Sequence, residues 1–325
     1  MTKPRKTPPV DLTGLRRIGV GQREHLVETD RAAALIAPGA SVRDFLEALP
    51  DFLAVRRLRQ LVGAIVAART ADLPVMFGMG AHVIKVGCSP TIVDLMRRGV
   101  ITHVALNGAG AIHDYELSAT GATSEDVGAN LKEGLFGMVR ETAEALAAAA
   151  EAGARDDVGL GRALGERIAA DCPHADFSIL AGAARHARAG TVHVAVGTDT
   201  VHMHPESDGA AIGAASHTDF RIFCQAVCDM HHDGPADGPG GVYVNVGSAV
   251  LLPEVFLKAV SVARNLGANL DGLTTANLDM LTHYRPTQNV LTRPVAPGRG
   301  MQIVGHHELA LPLLRAAILE AMERP

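Results

Sequence analysis

Residues 73–118 read LPVMFGMGAHVIKVGCSPTIVDLMRRGVITHVALNGAGAIHDYELS. Leu73 to Phe77 is a short apolar run with β-branched and aromatic content, the pattern of a buried strand. Gly78 and Gly80 follow at once, where a tight turn needs residues without a Cβ. Ser89-Pro90 opens a helix, with Ser at the cap and Pro at the first helical position. Ile92, Val93, Leu95 and Met96 give it an apolar stripe. Gly99 closes the helix, Val100 to Leu106 reads as a second strand, and Asn107-Gly108-Ala109-Gly110-Ala111 as a second Gly-rich turn. Strand, helix, strand is a βαβ unit, whose ligand lies at the carboxyl ends of the strands. Both Gly-rich turns are expected there, side by side, with backbone N–H groups able to hold a phosphate. Neither turn has the full G-x-G-x-x-G spacing.

The rest of the chain extends this pattern. Ser41 to Ala68 is helical, broken near Pro50. Helices are expected in the Ala-rich stretch ending at Gly153, over 158–170, over 178–188, over 221–230 and over about 252–266. Strands are expected at 191–198, 241–246, 273–275 and 301–305, and a helix from Leu309 to the end. Strands alternating with helices predict an α/β fold: a doubly wound, Rossmann-like parallel sheet with helices on both faces. No composition break divides the 325 residues. The expected organisation is a flexible arm over residues 1–14 and one domain over 15–325.

Composition excludes several functions. There is no Trp and aromatics make up 3%, so single-stranded nucleic acid has no stacking platform. The net charge of −5 gives no phosphate-backbone footprint. No apolar run approaches the ~20 residues of a membrane span. The basic N-terminus lacks the apolar region of a secretory signal. Cys88, Cys172, Cys224 and Cys228 have neither disulfide density nor CxxC spacing, which suits a reducing, cytoplasmic setting.

Taken together, these segments resemble the deoxyhypusine synthase family. GAHVIKVGCSPTIVDLMRRGVITHVALNGAGAIHDYEL is similar to that family's first cofactor region, VAVGTDT to its strand ending in Thr-Asp, NVGSAV to a later Gly-rich turn, LTTAN to its Thr-Ala segment, and VGHHELALPLL to its C-terminal strand and helix. The resemblance covers about residues 70–320. It implies an NAD-binding fold, a homotetramer with sites shared between subunits, and a small-molecule substrate. It implies that Gly80, Ala81, His82 and Lys85 lie near the NAD phosphates and ribose. Gly108, Ala109 and Gly110 match the second Gly turn, and Asp114 the carboxylate set against a ribose. Asp199, Gly247-Ser248 and Thr275-Ala276 match later cofactor contacts, and His306-His307 an Asp-Ala pair.

The departures redirect the chemistry. Arg293 stands where the family carries an imine-forming lysine, and a guanidinium stays protonated. Gln288 stands near an expected carboxylate. With Arg285 and Arg293 in one loop, an anionic substrate is expected. The reading is therefore an NAD-dependent oxidoreductase or transferase acting on a small polar metabolite, not deoxyhypusine synthesis. Candidate catalytic groups are Lys85, for phosphate binding or an imine, His113 with Asp114 as its orienting carboxylate, His202 and Arg293. His202, His204 and His217 with Asp199, Asp208 and Asp219 crowd one long loop, 199–219, which leaves a metal-dependent hydrolase as an alternative. A non-catalytic nucleotide-binding sensor is another.

Overall fold

The computed structural model describes residues 7–234 and 238–323. Residues 1–6 of the expected arm and Pro235, Ala236 and Asp237 of the 231–240 loop lie outside the described residues. Six strands, β1 (Val75–Met79), β2 (His103–Asn107), β3 (Ala189–His193), β4 (Val242–Val246), β5 (Thr274–Asp279) and β6 (Gly300–Val304), form one sheet in the order β3-β2-β1-β4-β5-β6. Every pairing is parallel. The order reverses between β1 and β4, so connections leave that point in opposite directions and open a crevice above it.

The helices are α1 (Val42–Ala48), α2 (Leu53–Thr70), α3 (His82–Lys85), α4 (Ser89–Arg97), α5 (Gly108–Thr120), α6 (Val127–Lys132), α7 (Arg140–Arg155), α8 (Leu160–Asp171), α9 (Ile179–Arg185), α10 (Gly209–Cys228), α11 (Leu251–Asn265), α12 (Tyr284–Pro286) and α13 (His307–Met322). A strand sends alternate side chains to opposite faces. Val75, Phe77 and Met79 of β1 and Val242, Val244 and Val246 of β4 therefore share one core with Leu61 and Ile65 of α2, Ile92 of α4 and Leu314 of α13. Met76 and Tyr243 face the other way, onto Phe223 of α10 and Phe256 of α11. Tyr243 stacks on Phe256 with centroids 3.8 Å apart. Gly78 has no side chain because the Tyr243 hydroxyl fills that space.

Across β4, β5 and β6 a row of amides crosses the sheet in register. Asn245 Nδ2 donates to Asn277 Oδ1 at 2.7 Å, and Asn277 Nδ2 to Gln302 Oε1 at 3.0 Å. The outer edge of β3 is covered by α10: Val192 N donates to Asp219 Oδ2 at 2.8 Å and Val194 N to Ser216 Oγ at 3.2 Å. Side chains here satisfy a sheet edge that would otherwise recruit another strand.

Three expectations need correction. The 199–219 stretch is not one long loop, because α10 begins at Gly209. Asp208 caps it by accepting from Ala210 N at 2.8 Å, and its small residues pack on the Ala-rich α7. Tertiary packing outweighs the low helix propensity of Gly209 and Gly213. Next, β3 starts at Ala189 and ends at His193, earlier than the 191–198 run. Finally, the strand expected at 273–275 begins at Thr274 and runs on to Asp279, burying the turn-forming types Asn277 and Asp279.

Candidate functional site

At the reversal point the backbones of β1 and β4 touch. Gly80 N donates to Val246 O at 2.9 Å, and Gly247 N to Leu278 O at 3.0 Å. A Cβ at Gly80 would run into the Gly247 carbonyl oxygen. Gly247 has φ +61°, a left-handed backbone that favours glycine, and its missing Cβ would stand 2.6 Å from His307 Cε1. Above these glycines sit two histidines. His82 Nδ1 lies 3.0 Å from His307 Nδ1, and His307 Nε2 lies 3.3 Å from Leu278 O. A carbonyl only accepts, so His307 carries its proton on Nε2 and His82 donates from Nδ1. Burial holds the His307 pKa down, which keeps this ring neutral. Cys88 lies beneath, buried, with Sγ 3.6 Å from His307 O; burial raises its pKa, so it is not a thiolate nucleophile.

The second Gly-rich stretch is the first turn of α5 rather than a free turn. Asn107 caps it, accepting from Gly110 N at 2.8 Å. Gly108 is glycine because the Asp199 carboxylate lies where its Cβ would be. The Ala109 N–H favours the charged Asp199 carboxylate, whose Oδ2 is buried without a partner. Burial raises its pKa. A carboxylate oxygen held this way is expensive to leave unbonded, and it is suited to a hydroxyl donor.

Beside Asp199 a groove of about 620 Å³ opens between α5 and α6, lined by Lys85, His113, Glu116, Thr123 and Asp199 among others. His113 Nδ1 lies 2.7 Å from Thr123 Oγ1, which donates to Glu116 Oε2 at 2.6 Å. Thr142 Oγ1 holds the other oxygen, Glu116 Oε1, at 3.1 Å. With its single proton directed at Glu116, Thr123 accepts from His113 Nδ1–H, and His113 keeps Nε2 free as a base. Its pKa is lowered, first by burial and also by Lys85, with Glu116 opposing.

No protein-family model matches the chain, and no curated protein sequence does. Solved structures are similar to it. AgrE in complex with ornithine and NAD+ is similar over 82% of this chain and 34% of its own, at 14% identity and a TM-score of 0.50. ArgZ, an arginine dihydrolase from the ornithine-ammonia cycle in cyanobacteria, is similar over 82% of this chain and 32% of its own, at 14% identity and a TM-score of 0.49. A putative deoxyhypusine synthase from Entamoeba histolytica is similar over 88% of this chain and 96% of its own, at 10% identity and a TM-score of 0.46. The chain has the Rossmann-like fold of this group. It spans about a third of the ArgZ and AgrE chains.

On this fold the expected site residues fall into two sets. Gly80, Ala81, His82 and Gly247 meet at the reversal point, while Lys85, Ala109, His113 and Asp199 meet at the groove. The others are elsewhere. Asp114 is fully buried and caps α9: its oxygens accept from Ser178 Oγ at 2.6 Å, Ile179 N at 2.8 Å and Leu180 N at 3.1 Å. It does not orient His113, since residues adjacent on a helix point about 100° apart. Ser248 is buried, and its hydroxyl accepts from Leu252 N at 3.2 Å. Thr275 and Ala276 lie inside β5, with Thr275 Oγ1 donating to Val290 O at 2.7 Å. His306 is exposed, and the buried partner of His82 is its neighbour His307.

Arg293 is exposed and donates to Asn289 Oδ1 at 2.8 Å, while Arg285 pairs with Glu254 at 3.3 Å. Neither forms a free cationic pocket. His202 Nδ1 accepts from Gly197 N at 3.2 Å, and His204 bonds Gly137 O at 2.8 Å. Asp219 caps α8 and β3. The metal alternative therefore loses its cluster: among the described residues, no three His, Cys, Asp or Glu side chains could hold an ion. The sequence reading missed Glu116 and Thr123, and of the pair His306-His307 it did not single out His307. Glu116 carried a signal, since it stands three residues after His113 and so shares its helix face.

Proposed function

We propose that the chain is an NAD-dependent oxidoreductase or transferase acting on a small polar metabolite bound in the groove beside α5. The observation that carries this reading is Asp199. Its Oδ2 is buried, unpartnered, and set at the first turn of a helix that follows a sheet strand. A ribose hydroxyl is the donor such an oxygen fits. The residues that would hold NAD are Gly80, Ala81 and His82 at the end of β1, Gly108 to Gly110 at the start of α5, and Asp199. Bound NAD supplies a hydride acceptor. The chain supplies the proton chemistry: His113 Nε2 takes a proton from the substrate, and the Thr123–Glu116 pair holds the ring in the required tautomer.

Lys85 is exposed at the rim of the groove, where its ammonium attracts a phosphate or carboxylate; this favours a binding role over imine formation. The anionic-substrate expectation rested on Arg285 and Arg293 and falls with them. Glu116, Glu125, Glu141 and Asp199 line the groove against Lys85, so a polar substrate with donor groups suits it better. Arg293 cannot act as the family's lysine, and deoxyhypusine synthesis is not proposed. Calorimetric titration of the purified protein with NAD+ and NADH tests the reading. Saturable binding that weakens in Asp199→Asn is expected, and the absence of measurable affinity for either form would end it.

A further inference from the structure

Residues 121–139 connect α5 to α7 and form the outer wall of the groove. Of the described residues in this stretch, only Gly137 is buried. Its middle is bonded mainly to itself. Glu125 Oε1 accepts from Gly137 N at 2.8 Å, and Oε2 from Asn130 Nδ2 at 2.6 Å. Leu135 N donates to Asn130 O at 2.9 Å, and Asp126 caps α6 by accepting from Ala129 N at 3.1 Å. A surface loop whose ends meet and whose bonds are its own can move as one body.

The attachments to the rest of the fold lie at the two ends. On one side Thr123 is held by His113 and Glu116. On the other the Gly137 carbonyl bonds His204 at 2.8 Å, and a Cβ on Gly137 would run into Thr200. At both junctions the backbone is left-handed, with φ +76° at Ser124 and +74° at Gly137. That conformation is uncommon for a serine, and such positions gather at switch regions. The N–H of Gly137 belongs to the body and its carbonyl to the anchor, so rotation at this one residue parts the two.

The body also carries an apolar stripe in solvent. Val127 and Leu131 are one turn apart on α6 and share a face. Val127 lines the groove, so that face is turned toward it. Val127 is nevertheless 47% exposed, Leu131 64%, and Leu135, which continues the spacing just past the helix, 58%. A surface helix ordinarily buries such a stripe. Across the groove stand Ile112, Tyr115 and Ala119 of α5. We propose that residues 125–136 are a lid, hinged at Ser124 and Gly137, that closes the Val127–Leu131–Leu135 stripe over the groove when the groove is occupied. The proposal rests on the reading that NAD lies beside Asp199. Closure shields His113 from water and leaves the Thr123–Glu116 pair, which lies outside the hinge, in place.

The chain has no Trp, so a single introduced Trp reports on its own site. Leu131→Trp and, separately, Leu135→Trp replace exposed lid residues, and Leu266→Trp, at a 73% exposed position after α11, is the control. Each is titrated with NAD+ while calorimetry follows binding. Emission from both lid variants is expected to move to shorter wavelength in step with binding, and the control to stay. In the free wild type, hydrogen exchange should show the amides of 125–136 opening together and faster than those of α5 and α7, and slowing with NAD+. Binding heat without that emission shift, or lid amides as protected as those of α5 and α7 in the free protein, would overturn the lid and leave the NAD reading standing. Absence of binding heat would end the NAD reading, and the closure with it.

Discussion

The Thr123 hydroxyl lies 2.7 Å from His113 Nδ1 and gives its own proton to Glu116. One oxygen atom thus decides which nitrogen of His113 is basic. Thr123→Val removes that bond without changing the size of the side chain much. We expect His113 to lose its fixed tautomer, visible in its ring ¹⁵N shifts. Turnover should fall by about tenfold or more, within the ~10²–10⁴ that general acid–base catalysis contributes. Unchanged ring shifts would remove the relay.

Asp114 and Asp199 should separate stability from binding. Asp114→Ala strips three bonds from the start of α9 and should lower stability by about 2 kcal/mol in urea unfolding, leaving NAD affinity as in the wild type. Asp199→Asn should do the reverse, weakening NAD binding about tenfold or more while stability holds. If Asp114→Ala selectively lost NAD affinity, the assignment would be inverted.

His193 sets a pH dependence. It is buried against Phe223, with Nε2 3.1 Å from Thr191 Oγ1, and burial takes its pKa from 6.5 down to about 3. Below about pH 6.5 the unfolded chain binds a proton that the folded chain refuses. Stability from this group is therefore present at neutral pH and lost as pH falls, by about 1.4 kcal/mol per unit. Between pH 7 and 5, His193→Gln should lose about 2 kcal/mol less than the wild type in urea unfolding. Equal losses would show that His193 protonates in place.

Two glycines predict opposite signs. Gly80→Ala forces a Cβ into the Gly247 carbonyl, a backbone group that cannot turn aside, and should destabilise by about 2–3 kcal/mol or more. Gly213→Ala, in the middle of α10 with nothing within 4 Å, should stabilise by about 0.5–1 kcal/mol. Melting temperatures of both variants check this.

The βαβ unit was legible because its signals are local. Ser41, expected as a cap, caps α1; Ser89, expected as another, is instead the first residue of α4 behind Cys88, its hydroxyl buried without a partner. What stayed hidden depends on the partner surface. Asn277 and Asp279 read as turn residues, yet β5 buries both because Asn245 and Gln302 offer amides in register. Gly209, Gly213 and His217 read as loop, yet they belong to α10, which packs on α7. His306 and His307 could not be told apart, because only the start of α13 decides which ring turns inward. Thr123 stood in a capping cluster, and nothing local tied it to the His113–Glu116 face.

The amide row across β4, β5 and β6 also constrains how the chain can change. Replacing any one of Asn245, Asn277 or Gln302 by an apolar residue strands a neighbour's donor or acceptor inside the sheet. Replacing all three together removes the side-chain bonds as a set and takes a donor only from the Ser248 and Asn277 carbonyls. Descendants of this chain are therefore expected to keep the trio intact or abandon it as a set, with single exchanges the rarest outcome.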